Sequence, residues 1–238
     1  MLHAVKGIVL RTTKYSDNSL IVNVYTDRFG LQSYLVRGTH SKTSRVKSNY
    51  FRNLMLLDMV VTKVEKHRLE SIKEITGAYS YTAEFDPVKN AIFFFLNEVI
   101  NKTIHEEEPN QGLFEFLVNA LNLLKLKEGS VANFHLIFIL KYTQYLGFFP
   151  TGNFTREKKY FDLAEGRFVQ EEYKRIHHLN ETMSRHFHDL MNSKFEVCEQ
   201  LIITNVERKA ILLALLDYYR LHKALVSDIT SYLLLEQL

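Results

Sequence analysis

A run of cationic side chains without neighbouring acids is the first feature of the sequence that could bind a ligand. Between residues 28 and 57 the chain has no Asp or Glu and six cations, Arg28, Arg37, Lys42, Arg45, Lys47 and Arg52. Ser, Thr and Asn side chains lie among them, and the rings of Tyr50 and Phe51 follow. Cations and hydroxyls bind phosphate oxygens and aromatic rings stack on bases, so residues 37–52 predict a polyanion-binding surface. A solvated charged loop is the alternative interpretation.

Catalytic chemistry has weaker support. Metal-dependent nucleases need clustered carboxylates, and the cationic stretch contains none. The run Glu106-Glu107-Glu108 precedes Pro109 and is typical of a solvated helix end. No segment has the GxxxxGK[ST] pattern of a phosphate-binding loop. The sequence therefore predicts a protein that is not an enzyme.

The histidines His177, His178, His186 and His188 form the other group of possible metal ligands. If residues 180–192 are helical, His186 and His188 point to different faces, because they are two positions apart. Surface histidines are the favoured interpretation, and neither a metal nor a cofactor is expected. Stoichiometric zinc in the purified protein would favour the enzyme hypothesis.

The charge is divided unevenly along the 238 residues. Residues 1–82 contain 13 Lys and Arg against 6 Asp and Glu, whereas residues 83–238 contain 17 against 21. This division predicts a basic domain at 1–82 and a second domain at 83–238. The single cysteine, Cys198, excludes an intrachain disulfide and predicts a packed apolar side chain in a reducing compartment. With no signal-peptide-like or membrane-spanning run, we expect a cytoplasmic protein.

Residues 1–80 alternate in the manner of β-strands. Five are predicted, at about 3–11, 19–26, 32–36, 55–66 and 71–77. Residues 15–18 form a turn cluster, and Gly30 ends a tight hairpin between the second and third strands because it tolerates a positive φ. Five short strands suit a small closed barrel of the OB type, and an SH3-like barrel is the alternative. The predicted fold class is thus α+β, with a barrel followed by helices.

The apolar period lengthens to that of helices after residues 82–86. Asp86 followed by Pro87 predicts a helix start, a second helix follows Pro109, and a third ends at Gly147. The polar stretch 150–172 carries two short strand-like runs around Glu165-Gly166 and predicts a small hairpin insert. Further helices are expected at about 180–192 and 205–222, with a last helical turn within 227–238.

Several motifs resemble the bacterial recombination mediator RecO family. In the first domain they are Gly7-Ile8-Val9-Leu10, Tyr15-Ser16-Asp17-Asn18-Ser19-Leu20, Tyr25-Thr26, Gly30 and Arg37-Gly38 with Ser41, Lys42, Ser44 and Lys47. Fainter matches in the helices are Phe134, Leu140, Tyr145-Leu146-Gly147-Phe148 and Ser231-x-x-x-Leu235. The resemblance covers nearly the whole chain.

Two departures from the family pattern affect the interpretation. Many members carry four cysteines in a zinc-ribbon-like insert after the third helix, whereas residues 151–172 contain none. We expect Tyr160, Phe161 and Phe168 to replace the metal with an aromatic cluster. Where the family often has Gln-Pro before the fourth strand, this chain has Arg52-Asn53, which adds charge and removes a rigid turn.

The resemblance implies a DNA repair protein that acts without catalysis in the cytoplasm, associated with the nucleoid. It would bind single- and double-stranded DNA, anneal complementary strands, and act with RecR to load RecA onto strands coated by single-strand binding protein. A helical scaffold without a DNA role is the alternative. The candidate DNA contacts are Arg11, Lys14, Arg37, Lys42, Arg45, Lys47, Tyr50 and Arg52.

The resemblance also implies that the helical domain binds the acidic, apolar-ended tail of single-strand binding protein. Such a tail needs an apolar pocket and nearby cations. The family's Arg at the start of the third helix is replaced by Val131-Ala132-Asn133. The candidates that remain are Lys125, Lys127, Phe134, Phe138 and Lys141, and ordinary surface lysines over a core are the alternative interpretation.

Overall fold

The computed structural model describes residues 1–37, 48–62, 70–81, 86–170, 177–222 and 229–235. The chain forms two compact units. A sheet unit comprises Met1–Phe85 and Ile104–Asn122, and a helical unit comprises Asp86–Thr103 and Leu123–Leu238. The sequence-based division assigned residues 83–238 to one helical domain, whereas Ile104–Asn122 groups with the sheet.

The sheet unit contains five antiparallel strands, in agreement with the predicted number. They are β1 Leu2–Ser16, β2 Ser19–Thr26, β3 Gly30–Arg37, β4 Met55–Thr62 and β5 Ser71–Ser80, in the order β3-β2-β1-β4-β5. A single parallel bridge between Tyr34 and Glu70 joins β3 to the residue before β5. The α+β class is confirmed and the strand order is consistent with an OB-fold. The sequence predicted a closed barrel, whereas among the described residues this bridge is the only strand pairing between β3 and the β5 side of the sheet.

Alternate strand residues point inward and form an apolar core. In β4, for example, Met55, Leu57, Met59 and Val61 are buried while the intervening side chains are half-exposed. Opposing strands and a short 3-10 helix, Ser48–Phe51, supply the other members: Val5, Val9, Val22, Val24, Tyr34, Val36, Phe51 and Ile72. This alternation is the period of two on which the strand prediction depended.

Part of the opposite sheet face is covered by Ile104–Asn122. The buried ring of Tyr25 lies 6.2 Å from the ring of Phe114, and the Leu31 N–H donates to the Glu106 carbonyl at 3.0 Å. Gly30 has φ +64°, and a Cβ there would lie 2.8 Å from the Glu106 carbonyl oxygen. The predicted positive φ is confirmed, and the close backbone approach is a second reason for glycine.

The helices have the predicted starts and ends, apart from small shifts at their boundaries. They are α1 Pro87–Thr103, α2 Gln111–Leu126, α3 Phe134–Leu146, α4 Glu181–Asn192, α5 Asn205–His222 and α6 Tyr232–Leu235. Asp86 caps α1 by accepting from the Lys89 N–H at 2.9 Å, and Asn180 caps α4 through Met183. Gly147 ends α3 with φ +85°. Helix α3 has nine buried residues and is the core of the helical unit.

The insert forms the predicted hairpin with one further short strand. β6 Tyr160–Asp162 pairs with β7 Arg167–Val169 and with β8 His178–Leu179. The Phe161 ring lies 5.0 Å from Phe168 and 4.4 Å from Phe187. Phe161 and Phe168 therefore form the expected aromatic contact, which extends onto α4, whereas the third expected member, Tyr160, is half-buried and makes no ring contact with them.

Candidate nucleic-acid interface and pocket

Three strands bring Arg11 and Arg37 to one face of the sheet. Arg11 pairs with Asn23, which pairs with Ser33, and Arg37 pairs with Ser19. Ser33 and Arg37 are four residues apart on β3, and Ser19 and Asn23 are four apart on β2. Side chains separated by an even number on a strand share a face, so the two arginines lie on the same side of β1-β2-β3.

A β-bulge is responsible for the outward position of Arg11. The pairing register between β1 and β2 shifts between Val9 and Arg11, so Leu10 has no paired residue on β2. Val9 is fully buried inside, and without the extra residue Arg11 would point inward as well. A local irregularity therefore turns a core position into an exposed cation.

The surface between the two arginines is formed by side chains that pair across β1, β2 and β3. None of these side chains is a carboxylate. Asn23 accepts a hydrogen bond from the Ser33 hydroxyl at 3.0 Å, and Ile21 and Leu35 pair in the adjacent row as half-buried apolar side chains. We call this surface, Arg11, Ile21, Asn23, Ser33, Leu35 and Arg37, the β1-β2-β3 face. Its cations, amide and apolar groups can hold a phosphate backbone and leave room for stacked bases.

The other predicted DNA contacts are placed less favourably, or lie outside the described residues. Lys14 is exposed but pairs with Asp17 at 3.0 Å. Arg52 is exposed, and its Nε donates to the Asn49 carbonyl at 3.4 Å. Tyr50 is half-buried and packs against the sheet core, so only part of its ring is available for stacking. The remaining three, Lys42, Arg45 and Lys47, lie outside the described residues.

A second cationic segment was missed because the fourth strand was predicted to extend to residue 66. Strand β4 ends at Thr62 and β5 begins at Ser71. The connecting sequence carries Lys63, Lys66 and Arg68 against the single acid Glu65. Residues 63–69 lie outside the described residues, and the charge pattern is the signal that would have identified them.

The predicted tail-binding residues of the helical unit do not form a common surface. The rings of Phe134 and Phe138 are fully buried, and Phe134 stacks on Phe195 at 4.7 Å. Lys127 is bound to Glu199 at 2.7 Å. Lys141 is half-buried, and burial is the main reason that its pKa is lowered. Lys125 is exposed. A pocket for an apolar side chain must be formed by other residues.

A cavity of about 310 Å³ near the start of α3 has the apolar and cationic groups that such a tail requires. Its apolar walls include Val88, Ile92, Val131, Ala132 and Leu235, and its polar wall includes His135 and Arg208. All of these residues belong to the helical unit. Sequence reasoning missed Arg208 because it lies 75 residues from Asn133, its partner beside the cavity.

Arg208 is fixed in one orientation before any ligand binds. Its guanidinium donates to Asn133 Oδ1 at 3.0 Å, to Asn205 Oδ1 at 2.6 Å and to the Ile203 carbonyl at 3.1 Å. A guanidinium has five N–H donors, so two remain beyond these bonds. A prearranged cation with free donors binds carboxylates well, because little side-chain entropy is lost on binding.

His135 shares the polar wall as a neutral ring. Burial and the nearby positive charge of Arg208 lower its pKa to about 3. Its Nδ1 atom is buried and has no hydrogen-bond partner within the described part of the chain. The polar lining therefore contributes one fixed positive charge, one neutral ring and the carboxylate of Asp86, which faces Lys89 Nζ at 3.9 Å.

Neither a metal site nor a membrane span is present in the described part of the chain. No three His, Cys, Asp or Glu side chains there are arranged to hold a metal ion. The helices of the same residues are all too short or too polar to cross a bilayer. His178, one of the predicted surface histidines, is instead buried against Asp162, with 2.8 Å between Nε2 and Oδ2.

Comparison with known proteins identifies the family. The model for the recombination protein O N terminal matches residues 1–81, and that for the recombination protein O C terminal matches residues 84–225. The DNA repair protein RecO of Flavobacterium psychrophilum is 36% identical over 219 residues, which are 91% of this chain and 90% of the relative. The proteins of the same name from Azobacteroides pseudotrichonymphae and Phocaeicola vulgatus are 31% and 32% identical, covering 99% and 93% of this chain and 98% and 92% of the relatives. The chain belongs to the RecO family of DNA repair proteins.

Proposed function

We propose that this protein is a non-catalytic recombination mediator of the cytoplasm and nucleoid. It binds single- and double-stranded DNA, anneals complementary strands, and acts with RecR to load RecA onto strands coated by single-strand binding protein. Family membership supports the DNA repair role. The observation that carries the DNA contact is the position of Arg11 and Arg37 on the acid-free β1-β2-β3 face.

Annealing needs two phosphate backbones to be neutralised without readout of the bases. In our proposal the β1-β2-β3 face contacts one strand, and the cationic residues Lys42, Arg45, Lys47 and Arg52 extend that contact. Lys63, Lys66 and Arg68 add to the positive charge of the same unit. A broad cationic surface of this kind binds by releasing counterions, so the affinity falls steeply with salt.

Titration of a labelled oligonucleotide at several salt concentrations tests this proposal. The triple variant K42E/R45E/K47E should bind more weakly, and each lost phosphate contact should reduce the log-log salt slope by roughly 0.7 on single strands or 0.9 on duplex. The variant K158E, at an exposed lysine of the insert, is the control. Unchanged affinity and slope in the folded triple variant would remove these residues from the DNA surface. Absence of any binding by the wild type would favour the scaffold alternative.

We further propose that the cavity beside Arg208 receives the acidic, apolar-ended tail of single-strand binding protein. The apolar walls would take the terminal ring, and the free Arg208 donors would take a carboxylate. Lys125 remains an additional exposed cation of the same unit. We expect affinity on the order of micromolar, equivalent to about −8 kcal/mol. Calorimetry with a tail peptide should give heat for the wild type that R208A largely loses.

A further inference from the structure

A second cavity lies next to the first and shares one wall with it. Its volume is about 210 Å³, and its lining includes Val206, Leu212 and Lys209. Three residues line both cavities: His135, Arg208 and Leu235. Because His135 lies within α3 and Arg208 within α5, two of the shared residues are fixed in long helices. The third, Leu235, lies in the four-residue helix α6.

Helix α6 packs against α1 with side chains that stay partly exposed. It has no buried residue, and the side chains of Leu233 and Leu234 are 50% and 44% exposed. Ile229, three residues before the helix, is the buried apolar side chain in this segment. Short segments with few buried contacts open locally at low free-energy cost. Polar contacts therefore add to the packing that holds α6 in place.

Those contacts converge on the carboxylate of Glu98 in α1. It accepts from the Ser231 N–H at 2.8 Å, from the Thr230 N–H at 3.1 Å, and from the Ser231 hydroxyl. Lys102 pairs with the same carboxylate at 3.1 Å. Burial would raise the pKa of Glu98, but the bonds from Ser231 and Lys102 lower it below its ordinary value. The carboxylate is therefore ionised at neutral pH and holds the start of α6.

We propose that α6 is a strap, fastened by Glu98, across a single groove formed by the two cavities. When the strap is closed, Leu235 divides the groove. When the strap opens, the cavities join along Arg208 and accept an acidic peptide segment with two apolar side chains, one on each side of the arginine. The proposal rests on the proposed tail site beside Arg208 and adds its regulation, since binding the longer segment requires the strap to open.

The strap can be tested without any peptide. Val131 lines the first cavity and is 4% exposed, so a V131C thiol should react slowly with an aromatic disulfide reagent while the strap is closed. Cys198 adds little background, because burial raises its pKa to about 11. Adding E98Q removes charge-assisted bonds and should raise the labelling rate about tenfold.

Two further variants distinguish strap opening from unfolding. S231A deletes only the hydroxyl that bonds to Glu98, and it should raise the V131C labelling rate by a smaller factor than E98Q. E157Q, the same change at an exposed position of the insert, should leave the rate unchanged. Equal labelling rates in the E98Q and wild-type backgrounds would overturn the strap.

Peptide binding is tested with a synthetic peptide that ends in Glu-Asp-Leu-Asp-Phe. In two further peptides, serine replaces either the leucine or the phenylalanine. We expect E98Q to bind the first peptide about tenfold more tightly than the wild type, because a larger fraction of the protein is already open. Each serine peptide should bind more weakly to both proteins. Equal affinities of E98Q and wild type would overturn the strap, and no loss for one serine peptide would overturn the two-sided groove. Fast labelling of E98Q without binding of any peptide would reject the tail site of the proposed function and the peptide-binding role of the groove.

Discussion

The side-chain oxygen of Asn133 accepts a hydrogen bond from Nε of Arg208 at 3.0 Å. The amide nitrogen of the same asparagine donates to the carbonyls of Cys198 and Leu201 at 3.0 and 2.9 Å. Asn133 is 3% exposed and immediately precedes α3. One buried amide thus joins the start of α3, the chain around Cys198 and the first turn of α5.

Replacing Asn133 with alanine should strongly destabilise the helical unit. N133A removes the donor to the buried Cys198 carbonyl and to the half-buried Leu201 carbonyl, and the acceptor of one guanidinium N–H. We therefore expect the free energy of unfolding to fall by about 3 kcal/mol. Urea unfolding, followed by circular dichroism, measures this loss of unfolding free energy. N153A removes an exposed asparagine of the insert and should change stability by less than about 0.5 kcal/mol. Similar losses for the two variants would show that the buried amide has no special role.

A second prediction concerns Asp162 in the cysteine-free insert. Its Oδ1 accepts from the Ala164 and Glu165 N–H groups at 2.8 and 3.0 Å, while its other oxygen faces His178. D162N should lower stability by about 2 kcal/mol, because hydrogen bonds to a buried charge are lost. The control D189N changes a carboxylate that is 46% exposed and lies 3.5 Å from His188 Nδ1, and it should have little effect. Equal melting temperatures for D162N and wild type would contradict this role.

The stability difference between D162N and wild type should depend on pH, because the Asp162 carboxylate can be protonated. Burial would raise the pKa of Asp162, but the bonds from Glu165, His178 and Ala164 hold it below its ordinary value of 3.8. A lowered folded pKa means that the stabilisation is complete above 3.8 and is lost as the pH falls through the folded value. The difference between D162N and wild type should therefore persist at about pH 5 and shrink only at lower pH. Its disappearance already at about pH 5 would contradict this assignment.

Gly30 offers a test of the close approach between β3 and residues 106–108. G30A would place a methyl group 2.7 Å from the Glu107 carbonyl carbon and closer still to the Glu108 oxygen. G147A is the matched control, since Gly147 also has a positive φ but nothing within 4 Å. We expect G147A to lower the free energy of unfolding by about 1 kcal/mol, from backbone strain alone. G30A should lower it by at least about 2 kcal/mol more. Thermal unfolding of both variants decides it, and equal losses would exclude a steric contribution at Gly30.

The β1-β2-β3 face makes a quantitative prediction for DNA binding. R11A/R37A should lower the log-log salt slope on single-stranded DNA by roughly 1.4, about 0.7 for each phosphate contact. R156A/K158A removes two exposed cations of the insert and should leave the slope within error of the wild type. Fluorescence anisotropy at several salt concentrations provides both slopes. If the salt slope fell more in R156A/K158A than in R11A/R37A, the DNA contact would not lie on the β1-β2-β3 face.

Much of the fold followed from local patterns in the sequence. The period of two predicted all five strands, and the residues Asp86, Asn180 and Gly147 marked helix ends, because caps and turns are short-range chemistry. The hairpin of the insert was predicted from Glu165-Gly166 between two short apolar runs. These features require only neighbouring residues, so one sequence is sufficient to find them.

The parts that were missed depend on contacts between distant residues. Nothing near Leu10 signals a bulge, because the register shift is set by pairing with β2. Phe134 and Phe138 were predicted to line a surface pocket, but α3 is surrounded by the helical unit and buries both rings. Arg208 was overlooked because Asn133, which accepts its hydrogen bond, lies 75 residues earlier at the start of α3. Charge identified the cationic residues, but the pattern alone could not show which face of the sheet they share.

The grouping of Ile104–Asn122 with the sheet has a consequence for synthesis on the ribosome. Strands β1 to β5 leave the exit tunnel first, yet Tyr25 and Gly30 contact residues that are translated more than 70 positions later. A nascent chain that ends after β5 therefore exposes an apolar side of its sheet until α2 emerges. Early domains normally fold as each is completed. For this protein, the cover of one sheet face has to wait for part of the following sequence, and we expect a fragment that ends after the fifth strand to be aggregation-prone.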